Sequence, residues 1–280
     1  MKLQLEGIRI EAISLAGFYT CIQFPEHRVA FDLGICPRSA INKGHVFFTH
    51  AHGDHIAGVV RHCSSREMLR LPTPTYVIGK EDVANFNGFM DAARKLCRSG
   101  MPYNLMGISP GEHIDVRKNL RVRSYRSVHR VPCQGFILLE TKQKLRKELL
   151  NCPRDELIAR REAGEILTVD VERPLVTYTG DTTIDVFHRE KSLQEVPVLI
   201  TEVTFFDDSV QPDSAKHRGH MHIDDIANNA ELFSQKSILL MHSSARFQPQ
   251  QIDSICRKKL PFDLYQRITI LPNNQPLEGF

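Results

Sequence analysis

His50, His52, Asp54 and His55 fall within six residues, in the stretch FFTHAHGDHIAG that directly follows apolar residues. Imidazole and carboxylate are suitable zinc ligands, and a strand-to-helix turn lets alternate side chains converge on one point. No thiolate stands in the cluster, which favours an open catalytic site over a closed structural one. Burying four adjacent ionisable residues without partners would be costly, so simple packing in a strand is a poor explanation. A solvated histidine-rich loop is the bland alternative. The cluster predicts a metal.

Three further residues have chemistry in them and sit after apolar runs: His129 in SVHRVPCQGF, Asp181 in VTYTGDTT and His242 in ILLMHSSARF. Taken singly, each has an ordinary reading. A histidine at a strand end is usually a surface or core residue, and a Gly-Asp pair is usually a turn.

The elements that must position these groups alternate along the chain. LQLEGIRIEAI, TCIQF and RVAFDLG read as strands joined by tight turns, and HVFF as a short buried strand ending at the histidine cluster. DHIAGVVRHCSSREMLR and KEDVANFNGFMDAARKLC read as helices, with TYVIG as a strand between them. NLRVRSYRSVH, GFILLET, PLVTYTGD, VPVLITEVTF, SILLMHSS and ITIL return to strand, and HIDDIANNAELF and PQQIDSICRKKL to helix. This α/β pattern predicts two sheets packed face to face and covered by helices, in a single domain over 1–280. The one polar, helical-looking insertion is 141–166.

Composition narrows the class. A chain of 280 residues can bury a large core, and its 41% hydrophobic and 25% charged content is that of a soluble globular protein. The N-terminus lacks the apolar run of a signal peptide, and no stretch approaches bilayer length, so no membrane association is expected. Seven scattered cysteines form no CxxC pair and read as reduced thiols, hence a cytoplasmic protein. A net charge of +3 does not by itself announce a nucleic-acid binder.

THAHGDH resembles the T-H-x-H-x-D-H signature of the metallo-β-lactamase superfamily, whose fold is an αββα sandwich with metals at one edge. The resemblance implies three further ligands in fixed order, which His129, Asp181 and His242 supply. It places one zinc on His50, His52 and His129 and a second on Asp54, His55 and His242, with Asp181 bridging: two Zn2+ per subunit. Ions roughly 3.5–4 Å apart can share a water and lower its pKa toward neutrality. Asp32 in AFDLG matches the superfamily's early aspartate and is expected to orient a histidine.

Within the superfamily, three segments resemble ribonuclease Z, the endonuclease that trims the 3′ trailer from precursor tRNA. HRVPCQGF is similar to its H-R-x-x-S-x-G-F/Y segment. TEVTF with GHMHIDDIA is similar to its His-Glu-Ala-Thr box and the histidine that follows. HSSARF is similar to H-x-S-x-R-Y. The resemblance implies that Asp54 helps position the nucleophile and that Glu202 orients His222, which protonates the leaving 3′-oxygen. Ser244 and Arg246 would contact phosphate. The match is closest to short, plant-type forms and extends over most of the chain. Thr201, Val203 and Phe247 depart from the pattern, and the Gly-Pro-rich tip of the family's arm is absent.

The counterpart of that arm would be a basic helical insertion at 141–166, with Lys142, Lys144, Arg146 and Lys147 as candidate tRNA contacts. Between Thr141 and Glu162 seven basic residues oppose four acidic ones, which a solvated charged helix would also show. The family usually forms a homodimer in which one subunit's arm serves the other's site. Two rivals stand beside this reading: a phosphodiesterase or other hydrolase acting on a small molecule, and a non-catalytic tRNA-binding protein on the same fold.

Overall fold

A computed structural model describes residues 1–273. Two seven-stranded sheets carry the fold. The first holds β1 (Lys2–Leu5), β2 (Ile8–Leu15), β3 (Tyr19–Phe24), β4 (Val29–Phe31), β5 (His45–Phe47), β6 (Thr75–Gly79) and β7 (Asn104–Ile108), in that spatial order. The second holds β8 (His113–Arg117), β9 (Leu120–Arg126), β10 (Gln134–Leu145), β11 (Thr168–Tyr178), β12 (Val198–Glu202), β13 (Ser237–Met241) and β14 (Ile268–Ile270), again in sequence order across the sheet. Each sheet starts as an antiparallel meander. Each then turns parallel, from β4 to β7 in the first and from β11 to β14 in the second.

Parallel strands need helical crossovers, and these cover the outer faces. α1 (Gly53–Ile56), α2 (Val59–Met68) and α3 (Val83–Cys97) belong to the first sheet. After α4 (Arg154–Glu162), in the insertion, come α5 (Asp185–Arg189), α6 (Pro212–His217), α7 (Ile223–Asn228), α8 (Pro249–Lys259) and α9 (Phe262–Tyr265). Val59, Cys63, Phe86 and Met90 bury the helices against β5 and β6 on one side. Phe187, Ile223, Ile226, Ile252 and Cys256 do the same on the other.

Between the sheets, alternate apolar residues of both inner faces form the middle core. Its centre is aromatic: Phe31 lies parallel to Tyr178 with ring centroids 5.9 Å apart, and Phe136 is 5.4 Å from both Phe31 and Phe47. Each such ring contributes on the order of 1.5–3 kcal/mol by leaving water. These residues stand near the ends of β4, β5, β10 and β11. The same packing therefore fixes the strand ends that carry the functional groups.

Two expected elements differ. The helix read from Asp54 to Arg70 is broken after Ile56, because Gly58 donates its N–H to Leu33 O at 2.7 Å. A Cβ there would lie 2.7 Å from backbone atoms of Leu33 and Ile35, so only glycine permits the approach. The insertion 141–166 is helical only at α4. Thr141–Leu145 continues β10 and pairs antiparallel with Thr168–Glu172, so Lys142 and Lys144 lie on a two-stranded ribbon. Arg146 follows the strand and Lys147 begins a 3-10 turn. Helical propensity in the stretch was overridden by cross-strand pairing.

Candidate metal centre

Every candidate ligand follows the C-terminal end of a strand. The cluster His50–His55 runs from β5 into α1, His129 comes after β9, Asp181 after β11 and His242 directly after β13. Two of these corners need a special backbone. Gly180 adopts φ +61° before Asp181, and Gly219 adopts φ +82° beside His129. A Cβ on Gly219 would sit 2.7 Å from His129 Nδ1. Asp32 and His242 themselves take left-handed φ of +57° and +61°, an uncommon state for non-glycine residues that concentrates at functional sites.

One ring nitrogen on four of the histidines is held by a fixed acceptor. His55 Nδ1 donates to Asp32 Oδ2 at 2.8 Å, and His129 Nδ1 to Gly219 O at 2.7 Å. Two threonines act as relays. Thr49 donates its hydroxyl to Asp32 and accepts from His50 Nδ1 at 3.0 Å. Thr204 donates to Glu202 and accepts from His242 Nδ1 at 3.2 Å. Asp32 is fully buried and also accepts from Thr49 N–H and Tyr178 Oη, both at 2.8 Å. Asp32, expected to orient a histidine, is hydrogen-bonded to His55.

Fixing one nitrogen turns the lone pair of the other inward. His50 Nε2 is 3.0 Å from His52 Nδ1, which is 3.4 Å from His129 Nε2. His55 Nε2 and His242 Nε2 are 3.4 Å apart, and His242 Nε2 is 3.4 Å from Asp54 Oδ2. Asp181 stands between the groups. Its Oδ2 is 3.8 Å from His50 Nε2, and its Oδ1 lies 3.2 Å from His55 Nε2 and 3.4 Å from His242 Nε2. One ligand atom from each of His50, His52, His129 and Asp181 falls within 4.8 Å of the others, as do those of Asp54, His55 and His242.

This donor set fits divalent metal binding, and the ligand atoms of Asp181, His220 and His242 lie equally close together. Nitrogen lone pairs this close repel unless a positive charge lies among them, and Asp181 Oδ1 is buried without a hydrogen-bond partner. Burial, reinforced by neighbouring His55, pushes the His50 imidazole well below its usual range, towards the neutral form a ligand requires.

The residues assigned to the leaving group divide differently from the expectation. Glu202 is buried at the end of β12 and accepts from Thr182 N–H at 2.8 Å and Thr204 Oγ1 at 2.6 Å. Its histidine partner is His220, whose Nδ1 donates to Oε1 at 2.8 Å. His222 is not the partner. It is fully buried as the N-cap of α7, where Nδ1 accepts from Asp224 N–H and Nε2 donates to Asp207 O. Both of its ring nitrogens are committed to backbone, and the histidine on Glu202 is two residues earlier than expected. Burial alone would lower the His220 pKa, but the Glu202 carboxylate outweighs it and raises it to about 9.

Around this pair lies a cationic rim. Arg246 is exposed and reaches Ser244 Oγ at 3.4 Å and Ser209 Oγ at 3.2 Å. Arg218, to which the sequence reading assigned no role, and Arg246 each place a guanidinium 5.7 Å from the Phe205 ring. Phe205 in turn lies 6.3 Å from the His220 ring. The candidate arm residues Lys142, Lys144, Arg146 and Lys147 are elsewhere. β10 starts beside the centre, where Gln134 N–H donates to Thr49 O. It then runs eleven steps outward, about 36 Å at some 3.3 Å per residue.

Similarity to known proteins follows the same lines. The family model described as the beta-lactamase superfamily domain matches residues 37–243. The chain is 37% identical over 253 residues to tRNase Z TRZ1 of Arabidopsis thaliana, covering 90% of each. It is 32% identical to the chloroplastic tRNase Z TRZ2 of the same plant, covering 89% of this chain and 71% of that one. The crystal structure of human tRNase Z, short form, superposes with a TM-score of 0.61 at 16% identity, covering 95% of this chain and 97% of that one. The metallo-beta-lactamase fold protein YhfI of Bacillus subtilis superposes at 0.65 with 15% identity, covering 98% of each, a likeness of fold. With these candidate ligands at these strand ends and this degree of identity across nine-tenths of its length, the chain belongs to the tRNase Z family of the beta-lactamase superfamily.

Proposed function

We propose that the protein is a metal-dependent endoribonuclease that removes the 3′ trailer from precursor tRNA, leaving a tRNA 3′-hydroxyl and a trailer 5′-phosphate. The observation that carries this reading is the Glu202–His220 pair standing beside Asp181. An RNA 3′-alkoxide is a poor leaving group and needs a proton as the P–O3′ bond breaks. Glu202 holds the Nδ1 proton of His220 and so leaves Nε2 to deliver the other. The ribonuclease Z names of the relatives support the same substrate.

His50, His52 and His129 would hold one cation and Asp54, His55 and His242 the other, with Asp181 shared. A donor set of imidazoles and carboxylates without thiolate suits zinc. When bound, such a pair supplies an acidified water as nucleophile and positive charge for the phosphoryl oxygens. Asp54 is fixed by the Gly17 N–H at 2.8 Å, which keeps its carboxylate aimed at the centre. Ser244 and Arg246 bind the phosphate, the guanidinium neutralising its charge.

The ribbon and α4 form the arm. Lys142, Lys144, Arg146 and Lys147 contact tRNA phosphates far from the scissile bond, and a ligand bridging some 30 Å must be a macromolecule. The arm also exposes Leu150, Ile158, Ile166 and Val169, which supports its burial against a second subunit in a homodimer. The seven cysteines form no disulfide, in keeping with a cytoplasmic protein.

Incubation of the zinc-loaded protein with a trailer-bearing precursor tRNA, and separately with a small phosphodiester, tests the reading. Cleavage of the precursor at one position is expected. Turnover of the small ester alone would replace tRNA by a small-molecule substrate, and binding without cleavage would remove the enzyme.

A further inference from the structure

The strands β2 and β3 are joined by three residues, Ala16, Gly17 and Phe18, with Leu15 opposite Tyr19 in the register. The tip of this hairpin is tied to the metal centre on two sides. Gly17, at φ +74°, donates its N–H to Asp54 Oδ2 at 2.8 Å. Ala16 donates its N–H to the carbonyl of Ser243, the neighbour of His242, at 3.2 Å. The turn is closed by Phe18 N–H to Leu15 O at 3.0 Å, and just behind it Thr20 O accepts from Gly34 N–H at 2.8 Å.

On this pinned tip the Phe18 side chain is 64% exposed and belongs to none of the hydrophobic clusters among the described residues. A scattered apolar residue on a mobile surface would need no explanation. Phe18 differs in being the next residue after a direct hydrogen bond to a candidate metal ligand. A phenyl ring offers no hydrogen bond and no charge, so what it can recognise at the rim is a flat apolar face. The bases of a single RNA strand present such faces whatever their sequence.

We infer that Phe18 is the stacking platform for the base of the first trailer nucleotide, a proposal that rests on the endonuclease reading above. His220, on Glu202 and 5.1 Å from the His129 ring, serves the departing 3′-oxygen and so faces the tRNA side of the scissile phosphate. The hairpin tip is tied to Asp54 and to Ser243, and the proposal assigns to it the nucleotide whose 5′-oxygen stays on phosphorus. Held by its backbone before substrate arrives, the ring loses little freedom on stacking.

The chain contains no tryptophan, so Phe18→Trp introduces a single indole that can be excited apart from the six tyrosines. The experiment uses two precursors, one intact and one with an abasic first trailer nucleotide. Phe18→Ala is expected to lower kcat/KM on the intact precursor by about fivefold or more, the range of one base–aromatic stack. On the abasic precursor it should make no difference. Phe18→Trp should retain cleavage, and its fluorescence should be quenched by the intact precursor only. Equal losses on both precursors, no loss on either, or identical quenching by both would overturn the assignment. If the unmodified protein cleaves neither precursor, the endonuclease reading itself fails, which is a separate result.

Discussion

Glu202 Oε1 accepts a 2.8 Å hydrogen bond from His220 Nδ1, while Glu202 Oε2 accepts from the Thr204 hydroxyl that supports His242. One buried carboxylate therefore holds both His220, the proposed proton donor, and, through Thr204, the candidate metal ligand His242. His220→Ala should lower precursor cleavage by about 10²- to 10⁴-fold, the usual contribution of a general acid. Bound zinc, measured by atomic absorption, should stay at two per chain.

His222 carries the opposite expectation. His222→Ala removes a helix cap and should cost on the order of 0.5–2 kcal/mol of stability. Its kcat at a temperature where the variant is fully folded should stay close to that of the parent. A His222→Ala enzyme as stable as the parent but inactive would reverse the two assignments.

Asp32 holds His55 directly and His50 through Thr49. Asp32→Asn keeps the shape but loses the charge that fixes both rings. Zinc affinity, read by competition with a chromophoric chelator, should fall by about 10- to 100-fold. Unchanged affinity would mean that the ligands are positioned by packing alone.

His62 gives a pH dependence separate from the metals. It is enclosed between Tyr76 Oη at 2.8 Å and Ala40 O at 3.2 Å, and burial drives its pKa down to about 3. The unfolded chain, with an ordinary value near 6.5, binds the extra proton between those limits. His62 thus supports full stability above about pH 6.5 and less as pH falls toward 3. Urea unfolding should show the parent losing about 1 kcal/mol more than His62→Gln between pH 6 and pH 5. Parallel losses in the two proteins would exclude this contribution.

The arm makes a binding prediction. Replacing Lys142, Lys144, Arg146 and Lys147 together by alanine should weaken precursor binding and flatten its salt dependence, because fewer counterions are displaced. Hydrolysis of a small phosphodiester should be spared. Equal loss on both substrates would count against the arm.

The candidate cluster at His50–His55 was legible as a dense local signature, whereas His129, Asp181 and His242 are ordinary when read singly and were picked out by the resemblance to the metallo-β-lactamase superfamily. The layered fold followed from the alternation of strand and helix patterns. The partner of Glu202 was not legible. GHMH offers two histidines, and only the backbone turn at Gly219 decides that His220 faces the site while His222 caps α7. The Thr49 and Thr204 relays depend on contacts between side chains brought together by the fold, which spacing does not reveal. The strand character of Thr141–Leu145 escaped for a related reason. Its lysine-rich sequence suits a helix, and its pairing partner lies beyond the helix α4.

The most direct test is end-group analysis of precursor tRNA cut by the zinc-loaded protein, with and without chelator. A single cut after the discriminator base is expected, with a 3′-hydroxyl on the tRNA, a 5′-phosphate on the trailer, and loss of cutting when the metal is removed. A 2′,3′-cyclic phosphate product, or cutting that survives the chelator, would contradict it.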